Sequence, residues 1–255
     1  MSAKLSERII EVDTHTHTVL SGHAWSTLGE NCLAAAELGM KGLVLTEHGP
    51  ALVGGAADFT PHSQRMIPET VHGIRVFKGM EINILNENGD LDVPDKYLKQ
   101  LEFGIASFHH IGGIGISIGN EAENTDAYLK VLQNPWIDTI GHADEPKVPC
   151  DLEAIILEAK RLGKLIELNN NRVASGIYDS SRMKEYALLC KKHDQKVCVG
   201  TDAHFYTMVG RAGKMLELLE EIDFPPELIV NLEMKSFAEY LRKRKDRNNN
   251  RLSEF

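Results

Sequence analysis

At 255 residues the chain has the length of one large α/β domain, and 42% hydrophobic residues supply an ample core. A formal net charge of −9 disfavours nonspecific binding to nucleic acid or to an anionic membrane surface. No apolar run reaches the length of a membrane span and residues 1–8 are too polar for a signal peptide, so one cytoplasmic domain over residues 1–255 is expected, with residues 1–8 and about 246–255 as flexible tails.

Residues 9–12 are a short apolar run leading into Asp13-Thr14-His15-Thr16-His17 and then His23. Residues 28–38 read as a helix, with Ser26 or Thr27 as cap and Glu30 in support. Residues 42–45 are a buried strand, followed by Glu47-His48-Gly49. Residues 51–72 lack periodicity and are expected as a long loop flanking the site. A longer strand over 75–84 carries Glu81 and precedes a hairpin-type turn at 87–90. A strand at 103–108 runs into His109-His110, a helix covers 124–132, and a strand at 136–140 leads to His142. A helix at 152–162 is closed by Gly163, and the strand at 165–168 ends at Asn169-Asn170-Asn171. A helix at 181–193 precedes a strand at 196–199 and then Asp202-Ala203-His204. A helix at 211–222 stops at Pro225-Pro226, and residues 242–255 are expected to continue a helix and fray.

Strands and helices that alternate with short connections give a parallel α/β fold. The choice lies between a barrel and an open doubly wound sheet. Polar groups follow nearly every strand, and only a barrel brings all C-terminal strand ends to one mouth. A (β/α)7 barrel, distorted and TIM-like, with a metal site at that mouth, is therefore expected.

The chain holds 11 histidines. His15 and His17 are two apart in extended chain, so one face carries both, and Asp202 and His204 repeat the spacing. Glu81 sits in an apolar strand, where a carboxylate needs a partner such as a cation. For His109 or His142 alone a satisfied core histidine is the ordinary reading, but recurrence after several strands favours one shared polynuclear site. His110 should point away from His109. His72 and His193 read as solvated surface residues, while the loop holding His62 is open to either reading. Cys32, Cys150, Cys190 and Cys198 form no metal-type or disulfide-dense pattern and read as free buried thiols.

These residues carry a family resemblance. The motifs Asp13-Thr14-His15-Thr16-His17-Thr18, Thr46-Glu47-His48-Gly49-Pro50, Gly79-Met80-Glu81-Ile82-Asn83 and Gly200-Thr201-Asp202-Ala203-His204 resemble those of the PHP (polymerase and histidinol phosphatase) family, most closely its stand-alone YcdX-type phosphatases. The resemblance runs from about residue 10 to residue 241. It implies a distorted seven-stranded barrel with three divalent metal ions; the imidazole count makes zinc the first expectation, with manganese or iron as substitutes. One ion would take His15, His17, Glu81 and Asp202; a second Glu81, His109 and His142; a third His23, His48 and His204. Two departures stand out: Glu47 replaces a more usual Asp, and His142-Ala143-Asp144-Glu145-Pro146 replaces a frequent His-Pro-Gly.

Clustered cations at a barrel mouth suit hydrolysis of an anionic ester. The expected activity is a metal-dependent phosphoesterase, a phosphatase on a small phosphorylated molecule, with Glu81, Asp202 and Glu47 in catalytic roles. Arg65, Arg172 and Asn170 are candidate substrate contacts. The competing readings are a 3′-exonuclease or phosphodiesterase, an amidohydrolase, and a non-catalytic PHP scaffold module. Nucleic acid is disfavoured as a partner, no membrane is expected, and a homo-oligomer is left open.

Overall fold

A computed structural model describes residues 4–109, 118–177 and 179–252. Its strands are β1 (Val12–Thr16), β2 (Gly42–Leu45), β3 (Thr70–Val71), β4 (Ile74–Asn83), β5 (Phe103–Ser107), β6 (Thr139–Ile140), β7 (Leu165–Asn169) and β8 (Val197–Gly200). Seven of them run parallel in the order β1-β2-β4-β5-β6-β7-β8, and β3 pairs antiparallel with β4. The last gap is bridged just beyond β8, where Thr16 pairs with Ala203 and the His17 amide donates to the Ala203 carbonyl at 2.9 Å. The result is the expected barrel, nearly closed and distorted by a two-residue β6 and by a register shift between Asp13 and Thr16.

The outer layer is made of α1 (Leu28–Glu37), α2 (Thr60–Ser63), α3 (Asp95–Leu98), α4 (Glu121–Gln133), α5 (Leu152–Leu162), α6 (Asn170–Ala174), α7 (Ser181–Lys192), α8 (Gly213–Glu221) and α9 (Met234–Leu252). Local chemistry sets their ends. Thr27 and Glu30 form a capping box at α1, Asn120 and Glu123 another at α4, and Gly163 closes α5 in the left-handed conformation. One apolar cluster gathers Val44, Phe77, Phe103 and Leu165 with Phe237 and Tyr240 of α9, where Phe237 meets Phe77 edge-on at 5.1 Å. Along β4, Phe77 gives way two and four residues later to Gly79 and Glu81; along β7, Leu165 gives way to Glu167 and Asn169. The same strand faces are thus apolar at their starts and polar at their ends.

Three expectations change. The first strand begins at Val12 and includes polar Asp13–Thr16, rather than ending at residue 12. The sixth is confined to Thr139–Ile140. Residues 51–72 are not a plain loop: they hold α2, a 3-10 turn at Gln64–Met66, and β3. Both chain ends make contacts with the body of the fold. Leu5 is buried, and the Ser6 amide and hydroxyl donate to Glu220. Near the other end Arg244 is buried on Asp138 at 2.9 Å, and the Asn248 amide donates to the Pro135 carbonyl. All four cysteines are free and buried, and no helix among the described residues is long and apolar enough to cross a membrane.

Candidate metal centre

The strand ends bring nine side chains to one place. β1 carries His15, with His17 just beyond its end and His23 further along the same loop; β4 carries Glu81; His48, His109, His142, Asp202 and His204 follow β2, β5, β6 and β8. Glu81 lies at the centre, fully buried. Its Oε1 is 3.2 Å from His109 Nε2 and 3.0 Å from His142 Nε2. Its Oε2 is 2.7 Å from His48 Nδ1, 3.3 Å from His15 Nε2 and 3.6 Å from His17 Nε2. Asp202 Oδ1 lies 3.1 Å from His17 Nε2 and 3.5 Å from His15 Nε2. On the outer side His204 Nε2 is 2.9 Å from His23 Nε2 and 3.4 Å from His48 Nε2.

This donor set fits cations. His15 Nε2, His48 Nδ1, Glu81 Oε2 and His109 Nε2 are buried, and their close mutual contacts lack hydrogen-bond geometry, a costly arrangement unless something positive sits among them. Among the described residues three groups have ligand atoms within 4.8 Å of one another: His15-His17-Asp202, His48-Glu81-His109 and His17-His48-His204. Burial lowers the pKa of His17 strongly and that of His48 to about 4, which keeps their nitrogen lone pairs free. Burial pushes Glu81 upward, but His109, His15 and His48 together hold it well below the usual carboxylate range, so it stays anionic. Imidazole and carboxylate together are the ligands of zinc, manganese and iron sites.

A ring of buried polar groups fixes the ligands. Glu167 Oε1 lies 2.6 Å from His15 Nδ1, and its Oε2 accepts the His142 amide at 2.9 Å. Gly200 leaves room for it, since a Cβ there would fall 2.7 Å from Glu167 Oε1. Asn83 Oδ1 meets His109 Nδ1 at 2.7 Å, and Ser107 donates to Glu81 at 2.7 Å. Asp13 accepts from the His15 and Thr201 amides, tying β1 to the loop after β8. His142 and Asp202 hold positive φ angles of 31° and 53°, a sparsely populated conformation fixed by these surroundings. Glu167, Asn83, Ser107 and Asp13 escape the sequence reading as site residues. The signal for Glu167 was present: it is a lone carboxylate in an apolar strand, as Glu81 is.

The remaining candidates land elsewhere. Glu47 is buried one step behind the ligands: it accepts from the Thr18 amide at 3.2 Å and from the hydroxyl of Ser21, which lies 3.4 Å from His17 Nδ1. Burial raises its pKa, against hydrogen bonds from Ser21 and Thr18. Asn170 has both ends of its amide occupied, accepting from the Met215 amide at 3.0 Å and donating to the Arg211 carbonyl at 2.9 Å, so it anchors α8 rather than reaching for a substrate. Arg172 is buried and turned onto the chain's own carboxylates, Asp144 at 3.2 Å and Glu145 at 2.9 Å. That pairing gives the unusual Asp144-Glu145 after His142 a structural purpose. Arg65 is exposed on the 3-10 turn, and among the described residues no hydrogen bond or ion pair joins it to the cluster. His62 contacts Gln100 and His193 contacts Glu153, both away from the site. His110 lies outside the described residues.

Comparison with known proteins shows the family and the fold. The PHP domain matches residues 13–221. A probable phosphatase of Acetivibrio thermocellus is 41% identical over 236 residues, covering 92% of this chain and 97% of that protein. A probable phosphatase of Clostridium acetobutylicum is 39% identical over 234 residues, covering 91% and 94%. In fold the chain is similar to histidinol phosphate phosphatase from Lactococcus lactis, solved in complex with zinc, L-histidinol and phosphate, with TM-score 0.57 and 17% identity over 85% of this chain and 95% of that one.

Proposed function

Because the chain belongs to the PHP domain family, we propose that it is a metal-dependent phosphatase acting on monoesters of a small phosphorylated molecule. The observation that carries this reading is Glu81, whose two oxygens face different sets of imidazoles. In this reading His15, His17, Glu81 and Asp202 hold one divalent ion, Glu81, His109 and His142 a second, and His23, His48 and His204 a third. Zinc is favoured by the imidazole count and is the metal solved with the Lactococcus neighbour; manganese or iron also suits the ligands. Divalent ions held there supply Lewis acidity toward a phosphoryl group and water made acidic enough to deprotonate near neutral pH.

The protein's own groups prepare that chemistry. Glu81 and Asp202 remain anionic despite burial and set the negative charge that gathers cations. Glu167 presents His15 with Nε2 toward Glu81, by engaging Nδ1. Glu47, through Ser21, holds the turn after β1 against His17 and accordingly acts by positioning. The outer ligand His23 is exposed and His204 half-buried, which leaves this side of the cluster open to a substrate.

The test is hydrolysis of a phosphate-ester panel by protein reconstituted with zinc or manganese, alongside elemental analysis of protein purified without chelator. Up to three ions per chain and metal-dependent release of inorganic phosphate are expected. At most one tightly bound ion would remove the trinuclear claim, and rapid loss of 3′-terminal nucleotides with little monoesterase activity would favour an exonuclease.

A further inference from the structure

The open side of the cluster has an unusual border. His23 and His204, 2.9 Å apart, mark it. Two residues after His23 comes Trp25, 77% exposed, and directly after His204 come Phe205 and Tyr206, 42% and 40% exposed, with their rings 4.6 Å apart. These two loops are clamped together, since the Trp25 amide donates to the His204 carbonyl and the Tyr206 amide to the Ser26 hydroxyl, both at 2.8 Å. The border continues along the loop of β1 through exposed Val19 and Leu20. It reaches exposed Val53 in the loop of β2, because Gly22 and Gly54 pack so closely that a Cβ on Gly22 would lie 2.6 Å from the Gly54 carbonyl.

An apolar border on three neighbouring mouth loops is more than scattered surface hydrophobicity. Its charge pattern adds a second constraint. Residues 18–27, 49–59 and 203–210 contain no Lys or Arg, and Asp58 is their one carboxylate. Beyond the metal cluster itself, a substrate with further phosphates or carboxylates would find no lysine or arginine in this sector, whereas an aromatic ring finds flat partners and little competing polarity.

We infer that the loops after β8, β1 and β2 form the leaving-group subsite, and that its substrate is a phosphomonoester of an alcohol bearing an aromatic or otherwise apolar group. This rests on the phosphatase reading above and specifies its substrate class. The reaction keeps its balance: water adds to phosphorus, the bond from phosphorus to the ester oxygen breaks, and the alcohol departs with a proton, leaving inorganic phosphate.

The test compares 2-phenylethyl phosphate with ethyl phosphate on the metal-loaded protein, since their leaving alcohols are of similar acidity and differ mainly in the ring. The expected result is a preference for the phenyl ester of about 10–100-fold in kcat/KM. Trp25→Ala and Phe205→Ala, both at exposed positions, should move this ratio toward one, chiefly through KM, with metal content retained. Leu188→Ala, at an exposed position on α7, should leave the ratio where it is. Equal kcat/KM for both esters in the wild-type protein overturns the inference and leaves the phosphatase reading intact. So does a preference that survives loss of both Trp25 and Phe205. Phosphate release from neither ester overturns the phosphatase reading, and this inference with it.

Discussion

Glu167 and His15 sit 2.6 Å apart with no solvent access to either, and the same carboxylate holds the backbone amide of His142. One side chain on β7 thereby orients ligands from two other parts of the barrel. Glu167→Gln is nearly isosteric, but its amide cannot accept from both His15 Nδ1 and the His142 amide without presenting its own N–H group to one donor. Metal affinity should fall by about 10–100-fold, the scale for losing such a supporting group. Competitive chelator titration reads it, and affinity equal to wild type would reduce Glu167 to a packing residue.

The way Glu167 was missed shows where sequence reasoning stops. Residues 42–45 were legible as a strand to the residue because a continuous apolar run is what a strand covered on both faces requires. The helix at 152–162 was legible because Gly163 closes it. β1 was displaced because all of it after Val12, Asp13 to Thr16, is polar and buried, a combination that local patterning reads as loop. The ligands themselves were visible by residue type and strand-end position. Their supports were not, because Glu167 finds His15 at a separation of 152 residues and Asp13 finds Thr201 at 188. Nor does spacing tell that Asn170 and Arg172 are spent on Met215, Arg211, Asp144 and Glu145.

Glu81→Gln removes one negative charge from the centre of the imidazole ring system. With that charge gone, both ions proposed to share it should bind more weakly, and turnover should fall by orders of magnitude. Elemental analysis and phosphate release are measured on the same preparation. Full metal content with near-normal turnover would show that Glu81 bridges nothing.

His109 and His193 make a matched contrast. His109 Nε2 faces Glu81 at 3.2 Å, whereas His193 ends α7 and contacts Glu153 on the outside of the barrel. His109→Ala should cost metal and activity; His193→Ala should leave both within about twofold, with any stability change within the roughly 0.5 kcal/mol typical of surface sites. The opposite ordering would mean that the active cluster lies elsewhere.

Asn170→Ala distinguishes an anchor from a substrate contact. It leaves the Met215 amide and the Arg211 carbonyl without their partner in a buried setting, a loss of about 1–3 kcal/mol. A lowered thermal midpoint is expected, with KM for a phosphomonoester unchanged within about twofold. A raised KM at unchanged stability would return Asn170 to the substrate.

A pair of substrates, a phosphomonoester and a cyclic amide, separates the phosphatase from the amidohydrolase that shares its barrel and its spaced histidines. The cluster has an inner part around Glu81 and Asp202 and an outer part of His23, His48 and His204 that a two-ion amide hydrolase would leave without purpose. Three cations, were the proposed ligand sets filled, would suit the three non-bridging oxygens of a phosphomonoester better than a neutral carbonyl. The protein should therefore release phosphate from p-nitrophenyl phosphate and leave a hydantoin-type cyclic amide intact. Chelation should abolish the phosphatase activity, and zinc or manganese should restore it. Exposed Arg65 enters the same assay as a remote cation: Arg65→Ala should raise KM at constant kcat, because long-range attraction to phosphate is equal in ground and transition states. Cyclic-amide turnover without phosphate release would transfer the site to the amidohydrolase class, and phosphatase activity that survives exhaustive chelation would remove the cations from the mechanism.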